Sequence, residues 1–202
     1  MSIEYMQYIP THQGILSGAD KYVGENAGAN YRKKREHTPK WQTEQAIIER
    51  MLEDMPAGNW VLDVPCGDGR FFKFYHDKGF IFRGLDTSAD QLVAAAHEVV
   101  DPMQARLGQG DVRSLPLGDK CVDASVMVRL TRWLSPEDCQ LALKELQRVT
   151  RDRIIITARV ANHPHARPVE LFTEALEGGW ALAKNEQGYM PEYRVLMFKR
   201  AA

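Results

Sequence analysis

The stretch Val61–Arg70 reads VLDVPCGDGR, and it decides the fold of this chain. Its apolar, β-branched first half predicts a buried strand, and a helical pattern begins soon after the two glycines. Glycine lets the backbone turn sharply and approach a ligand, while the N-terminus of a following helix attracts a carboxylate or phosphate. The stretch therefore predicts a strand, a ligand-binding turn and a helix. A plain strand-to-helix turn is the alternative for this segment alone.

Acidic residues also end the next two apolar runs, at Asp86 and Asp111. Asp86 lies about 20 residues beyond the glycine turn, where a carboxylate at a strand end can accept hydrogen bonds from both hydroxyls of a ribose. Asp111 can accept an amino hydrogen of adenine, and the backbone N–H of Val112 can donate to a ring nitrogen. Each aspartate alone is more often a turn or cap residue. The three elements in register predict a nucleotide-like cofactor.

The rest of the chain has the periodicity of an α/β protein. Short apolar runs alternate with amphipathic stretches, which predicts repeated βαβ units and a parallel sheet. Thr38-Pro39, Ser88 and Ser135 have the chemistry of helix starts. The last two runs, WALAKN and EYRVLMFK, flank the turn-prone Glu186-Gln187-Gly188 and predict an antiparallel hairpin at the end of the sheet.

Length and charge limit the domain count and the classes of partner. The 202 residues, of which 44% are hydrophobic, suffice for one globular domain. We predict this domain over 38–202, after a polar, glycine-spotted arm or lid over 1–37. The net charge of -1 gives no overall electrostatic reason to bind nucleic acid or a membrane.

Cysteine usage and hydropathy indicate the compartment. Cys66, Cys121 and Cys139 form no CxxC pair, which argues against a disulfide framework and against a zinc site. The N-terminus lacks a basic flank before an apolar run, and nowhere do about 18 consecutive apolar residues occur. We therefore expect a cytoplasmic protein that neither enters the membrane nor binds a metal.

The three strand-end motifs resemble those of class I S-adenosylmethionine-dependent methyltransferases, in the style of the small-molecule enzymes of the methyltransferase-11 type. The resemblance covers roughly Trp41 to Lys199. It implies a three-layer, Rossmann-like sandwich whose seven-stranded sheet is mostly parallel with its last strand antiparallel, and it implies S-adenosyl-L-methionine as the cofactor. The residues that it places at the cofactor are Asp63, Cys66, Gly67 and Gly69 around the methionine part, Asp86 and Thr87 at the ribose, and Asp111 and Val112 at the adenine.

Two residues of the glycine turn need separate comment. The family usually has glycine where this chain has Pro65, so the turn loses some backbone freedom and one N–H donor. Cys66 is best interpreted as a small apolar loop residue rather than a nucleophile.

Methyl transfer from a sulfonium can draw much of its acceleration from positioning, and it needs a general base only when the nucleophile is protonated. His163 and His165, in the loop after the predicted fifth strand, are candidate bases, since histidine titrates near neutral pH. Solvated loop histidines are an equally good interpretation. Arg129, Arg132 and Arg159 are expected to cluster at the mouth of the site, where their forked donors suit a carboxylate or phosphate. Packing and surface ion pairs are the alternative.

The N-terminal arm has two features that bear on function. Tyr22 and Tyr31 are our candidate lid residues, since such segments close over a site and exclude water. The basic run Arg32–Arg35 is better interpreted as a solvated face than as a nucleic-acid contact. The segment Val128–Leu134 contains no Asn-Pro-Pro-Tyr or Asp-Pro-Pro-Tyr motif, which argues against an amino-methylating DNA enzyme.

We predict methyl transfer to an oxygen, nitrogen or carbon of a small, possibly anionic acceptor. One alternative is a protein that keeps the fold and binds the cofactor without turnover. Another is a nucleic-acid-directed methyltransferase. A nicotinamide-dependent oxidoreductase is disfavoured, because Gly67 and Gly69 are not followed by the third glycine of GxGxxG.

Overall fold

The computed structural model describes residues 33–176 and 178–201. Its helices, in chain order, are α1 Pro39–Leu52, α2 Phe72–Asp77, α3 Ala89–His97, α4 Pro136–Val149 and α5 Val169–Ala175. Its strands are β1 Trp60–Asp63, β2 Ile81–Asp86, β3 Ala105–Gln109, β4 Val122–Met127, β5 Thr150–Arg159, β6 Trp180–Gln187 and β7 Tyr193–Arg200. Tyr22 and Tyr31 lie outside the described residues, so their role as a lid stays a prediction.

Side-chain caps start the longer helices where the sequence predicts them. The Thr38 hydroxyl accepts the Trp41 N–H at the start of α1, and Pro39 occupies the first turn. Ser88 and Ser135 accept an N–H three residues on in the same way, at the starts of α3 and α4. Each cap satisfies a backbone donor that has no partner within the helix.

The strands form one seven-stranded sheet in the order β3-β2-β1-β4-β5-β7-β6. The pairs from β3 to β5 are parallel, while β7 runs antiparallel to both β5 and β6. The mostly parallel sheet with an antiparallel last strand is thereby confirmed, as is the terminal hairpin. The chain moves outward from β1 to β3 and then returns to β4 on the other side of β1. Ligands of such sheets bind at the carboxyl ends of the strands beside this switch point.

Alternate side chains of the central strands enter two separate cores. Val61 and Ile155 face a core built with α1, α2 and α3, while Leu62 and Ile156 face a core built with α4 and α5. The sheet is therefore buried on both faces, and the three-layer sandwich is confirmed. Within the described ranges, no helix is long and apolar enough to cross a membrane.

Candidate functional site

The glycine turn after β1 is held between the two neighbouring strands. The Val64 N–H donates to the Val126 carbonyl at 3.0 Å, and the Cys66 N–H donates to the Leu85 carbonyl at 2.9 Å. Gly67 and Gly69 have φ of 54° and 77°, in the left-handed region where glycine carries no steric penalty. The turn therefore lies at the carboxyl end of the sheet with its backbone exposed to close approach.

Asp63 ends β1 and lies directly before this turn, with only 1% of its surface exposed. Its Oδ2 has no hydrogen-bond partner among the described residues. The buried Tyr75 hydroxyl interacts with the carboxyl electrostatically but stands outside hydrogen-bonding geometry. Burial raises the pKa of Asp63 well above its usual value, and the charge of Arg70 opposes the rise. A buried acceptor without a partner is costly unless a ligand donates to it.

Asp86, at the end of β2, joins the turn to the next strand. Its Oδ2 accepts the Gly67 N–H and its Oδ1 accepts the Ser88 N–H, each at 2.9 Å. Burial raises the pKa of Asp86 to about 6, although these N–H groups favour the ionised form. The Thr87 N–H contributes a further hydrogen bond to this carboxylate. The carboxylate has four lone pairs in all, so it retains capacity to accept from a ligand hydroxyl.

Asp111 follows β3 and is held by Arg113. Its two oxygens accept the Arg113 Nε at 3.0 Å each, Oδ2 accepts Nη2 at 2.6 Å, and Oδ1 accepts the Arg113 backbone N–H at 2.9 Å. The Arg113 Nη1 also donates to Asp138 at 3.2 Å. An adenine amino group would have to share this occupied carboxylate. The adenine role of Asp111 and Val112 thus stays a prediction, and Arg113 is a residue that sequence reasoning missed.

A buried carboxylate on α1 connects the turn to the loop after β4. The Glu44 Oε2 accepts the Arg70 Nη1 at 2.8 Å and the Arg129 Nε at 2.7 Å. The Trp41 ring lies under both guanidinium groups, 3.8 Å from the Arg70 carbon and 5.3 Å from that of Arg129. Arg129 has a φ of 59°, which is rare outside glycine, and its N–H donates to Thr157. The sequence contains no motif that links these residues.

Arg129 lines a shallow, solvent-open pocket, which we call the cationic pocket. The pocket is lined by Arg35, Lys40, Arg129, Thr131, Arg132, Thr157, Arg159 and Tyr193. The structure thus brings together the three arginines that the sequence analysis grouped, and it adds two further cationic side chains. Glu44 pairs with Arg129, and Glu192 pairs with Arg159 at 3.1 Å.

Tyr193 lines the cationic pocket, and the Lys40 Nζ lies over its ring, 3.8 Å from the ring centroid. Burial alone would raise the pKa of this phenol. The hydrogen bond and charge of Lys40, together with the charges of Arg132 and Arg159, lower it below its usual value. Tyr193 and Lys40 are further residues that the sequence analysis did not identify, since neither belongs to a motif.

The two candidate histidines lie in the loop after β5 and do not line the cationic pocket. The His163 Nδ1 accepts the His165 backbone N–H at 3.0 Å. Partial burial and the charges of Arg159, His165 and Arg132 lower the pKa of His163, which favours the neutral imidazole. Their role as general bases stays a prediction.

The remaining predicted cofactor residues differ in exposure. Cys66 is buried, and burial raises the pKa of its thiol well above the usual value, so the reactive thiolate is disfavoured. Val112 is buried and Thr87 is exposed at the end of β2. In the part of the chain that the structure describes, no three histidine, cysteine or acidic residues are grouped as metal ligands.

Comparison with known proteins agrees with this geometry. Residues 61–153 match a family model described as a methyltransferase domain. A malonyl-(acyl-carrier protein) O-methyltransferase of Pectobacterium atrosepticum is 37% identical over 105 residues, which are 51% of this chain and 40% of that relative. The chain spans less than half the length of the curated relatives it matches.

Solved structures share the fold at low sequence identity. A magnesium protoporphyrin IX methyltransferase from Synechocystis has a TM-score of 0.69 at 14% identity, over 80% of this chain and 84% of that one. The (4+2)-cyclase SpnF has a TM-score of 0.66 at 17% identity, over 80% and 82%. With the sheet order and the glycine turn, the match over 61–153 shows that the chain contains a methyltransferase domain, and the solved structures show that its fold is that of the class I, Rossmann-like, S-adenosylmethionine-dependent methyltransferases.

Proposed function

We propose that this chain transfers the methyl group of S-adenosylmethionine to an ionised oxygen of a small anionic acceptor, with a carboxylate as the best match. The observation that carries this proposal is the cationic pocket at the carboxyl ends of β4 and β5. It lies beside the glycine turn, because Glu44 pairs with both Arg70 and Arg129. The acceptor and the cofactor would therefore meet at one edge of the sheet.

The residues of the turn fit the cofactor. The Asp86 carboxylate retains acceptor capacity for the ribose hydroxyls, and the unpartnered Asp63 Oδ2 suits the ammonium of the methionine part. Gly67 and Gly69 leave the backbone open to close approach. When bound, S-adenosylmethionine supplies an electrophilic methyl group on a sulfonium.

A carboxylate acceptor makes a general base unnecessary, since it is already ionised at neutral pH. The forked donors of Arg132 and Arg159 can hold one carboxylate oxygen and leave the other free to react. The relatives bear the name of an O-methyltransferase that acts on a malonyl group, which is consistent with such an acceptor. Orientation of the acceptor, rather than proton transfer, is then the main contribution of this pocket.

The proposal is tested with methyl-labelled cofactor, a panel of free monocarboxylates and of dicarboxylates that carry a thioester on one carboxyl group, and mass spectrometry of the products. We expect a methyl ester that mild base hydrolyses. The paired substitution Arg132→Gln with Arg159→Gln should raise the acceptor KM about tenfold or more, the usual consequence of losing charge-assisted hydrogen bonds. Arg151→Gln is the matched control, because Arg151 is an exposed arginine that pairs with Asp123 at the opposite end of β5.

Two results would contradict the proposal. Methylation of an amine or carbon instead of an oxygen would exclude the carboxylate acceptor. Binding of the cofactor with no methylated product from any acceptor would favour the alternative of a protein that keeps the fold without turnover.

A further inference from the structure

Glu44 is a buried acid between two arginines that belong to different parts of the site. Only 5% of its surface is exposed, and its Oε2 accepts hydrogen bonds from Arg70 and Arg129 at 2.8 and 2.7 Å. Arg70 directly follows the glycine turn, and Arg129 directly lines the cationic pocket. A single oxygen atom of α1 therefore connects the two sites.

The same helix holds both guanidinium groups by a second set of contacts. Trp41, one turn before Glu44, stacks 3.8 Å from the Arg70 guanidinium carbon, and its carbonyl accepts from the Arg70 Nη2. Gln45 accepts from the Arg70 Nε at 3.4 Å. Such a buried charge cluster is poor as a source of stability, because desolvation offsets most of the attraction. The cluster instead has a geometric consequence: the position of α1 determines the orientation of both arginine side chains.

We infer that Glu44 is a positioning residue that holds Arg70 at the cofactor turn and Arg129 in the acceptor pocket. This inference rests on the proposed function of the cationic pocket. Without the carboxylate, two buried guanidinium groups near one another repel and turn away from their sites. Anions and cofactor should then both bind less tightly.

The direction of the change in anion affinity after Glu44→Gln distinguishes a positioning role of Glu44 from a purely electrostatic one. Glu44 places a negative charge 2.7 Å from Arg129, so its removal makes the cationic pocket more positive. If charge alone mattered, an anion would bind more tightly after Glu44→Gln. If Glu44 positions Arg129, the anion binds more weakly despite the more favourable potential.

The experiment measures the Kd of malonate and of S-adenosylhomocysteine by calorimetry with the full chain. We expect Glu44→Gln to weaken the binding of each ligand about threefold or more, and in turnover assays to raise the acceptor KM more than it lowers kcat. Glu53→Gln is the matched control, because it removes the same charge at the C-terminal end of the same helix, at an exposed residue that pairs with Lys78. The control should leave both Kd values within about twofold of the wild type.

Glu44→Asp provides a second variant in case the glutamine variant does not fold. It retains the charge, but it is one methylene shorter and cannot reach both arginines, so we expect weakening in the same direction. Unchanged or tighter malonate binding in a folded variant overturns the inference. Failure of malonate to bind the wild-type chain, while S-adenosylhomocysteine binds, overturns the anion assignment of the pocket and the inference with it.

Discussion

Asp86 accepts hydrogen bonds from two parts of the site, one of which lies 19 residues before it in the sequence. Its carboxylate accepts the Gly67 N–H from the glycine turn and the Ser88 N–H at the start of α3. The sequence indicated a ribose acceptor at this position from its place at a strand end. The structure adds that the same carboxylate holds the turn, so its protonation affects both the shape and the chemistry of the site.

The pKa of Asp86 predicts a pH dependence of cofactor binding. Burial raises this pKa from 3.8 to about 6, and the ionised form is the one that can accept from both ribose hydroxyls. The affinity for S-adenosylhomocysteine should therefore be constant above about pH 7 and fall about tenfold per pH unit well below pH 6. Calorimetric titration across this range measures the profile.

Asp86→Asn is the control for this profile, since the amide does not titrate. We expect it to bind S-adenosylhomocysteine about 10- to 100-fold more weakly at neutral pH, the equivalent of about 1.5–3 kcal/mol for hydrogen bonds to a charged group. Its affinity should vary little with pH. An equally steep acid limb in the variant would assign the titration to another group, and unchanged affinity would contradict the ribose role.

At the scale of elements, Gly69 determines how α2 and α3 pack against the turn. A Cβ atom at this position would lie 2.8 Å from the Phe72 ring of α2 and 3.2 Å from the Ala95 backbone of α3. At Gly67 the nearest such atom is the Gln91 side-chain oxygen at 3.7 Å. The glycines look equivalent in the sequence, yet only one of them is enclosed by two helices.

We therefore expect alanine substitution to lower the free energy of unfolding more at Gly69 than at Gly67. Gly69→Ala should lower the free energy of unfolding by about 2–4 kcal/mol, because a left-handed backbone and a clash with packed atoms add together. Gly67→Ala should cost about 1–2 kcal/mol, from the backbone conformation alone. Denaturant unfolding measures both values. Equal losses would mean that Phe72 and Ala95 move aside at little cost.

At the scale of the whole molecule, a net charge near zero conceals a strongly charged site. The chain has a net charge of -1, yet five cationic side chains line one pocket. Composition predicts no general affinity for nucleic acid, and it could not locate the pocket. Local clustering of like charges, rather than their total, sets the potential that an acceptor meets.

Cofactor binding should stabilise this single fold as a unit. S-adenosylhomocysteine at 100 times its Kd should stabilise the folded state by about 2.7 kcal/mol, which corresponds to a rise in Tm of about 5–10 °C for a chain of this size. Asp86→Asn should show a much smaller rise at the same ligand concentration. Thermal unfolding followed by circular dichroism measures this shift, and an undiminished rise in the variant would contradict the site assignment.

The sequence by itself determined the order of strands and helices, the helix starts at Thr38, Ser88 and Ser135, and the terminal hairpin. It also located the strand-end motifs from which the cofactor site is predicted. These features follow from periodicity, caps and turn residues, which act between near neighbours along the chain. Such local signals are readable without knowing which elements pack together.

Only the tertiary structure decided which distant side chains meet. Glu44 and Arg129 are 85 residues apart, and their contact depends on α1 docking beside the end of β4. Lys40 of α1 lies over the ring of Tyr193 in β7. Arg113 donates hydrogen bonds to the Asp111 carboxylate, on which the adenine prediction depends. No periodicity encodes such pairs, because they arise from the packing of whole elements, and the acceptor pocket is built from them.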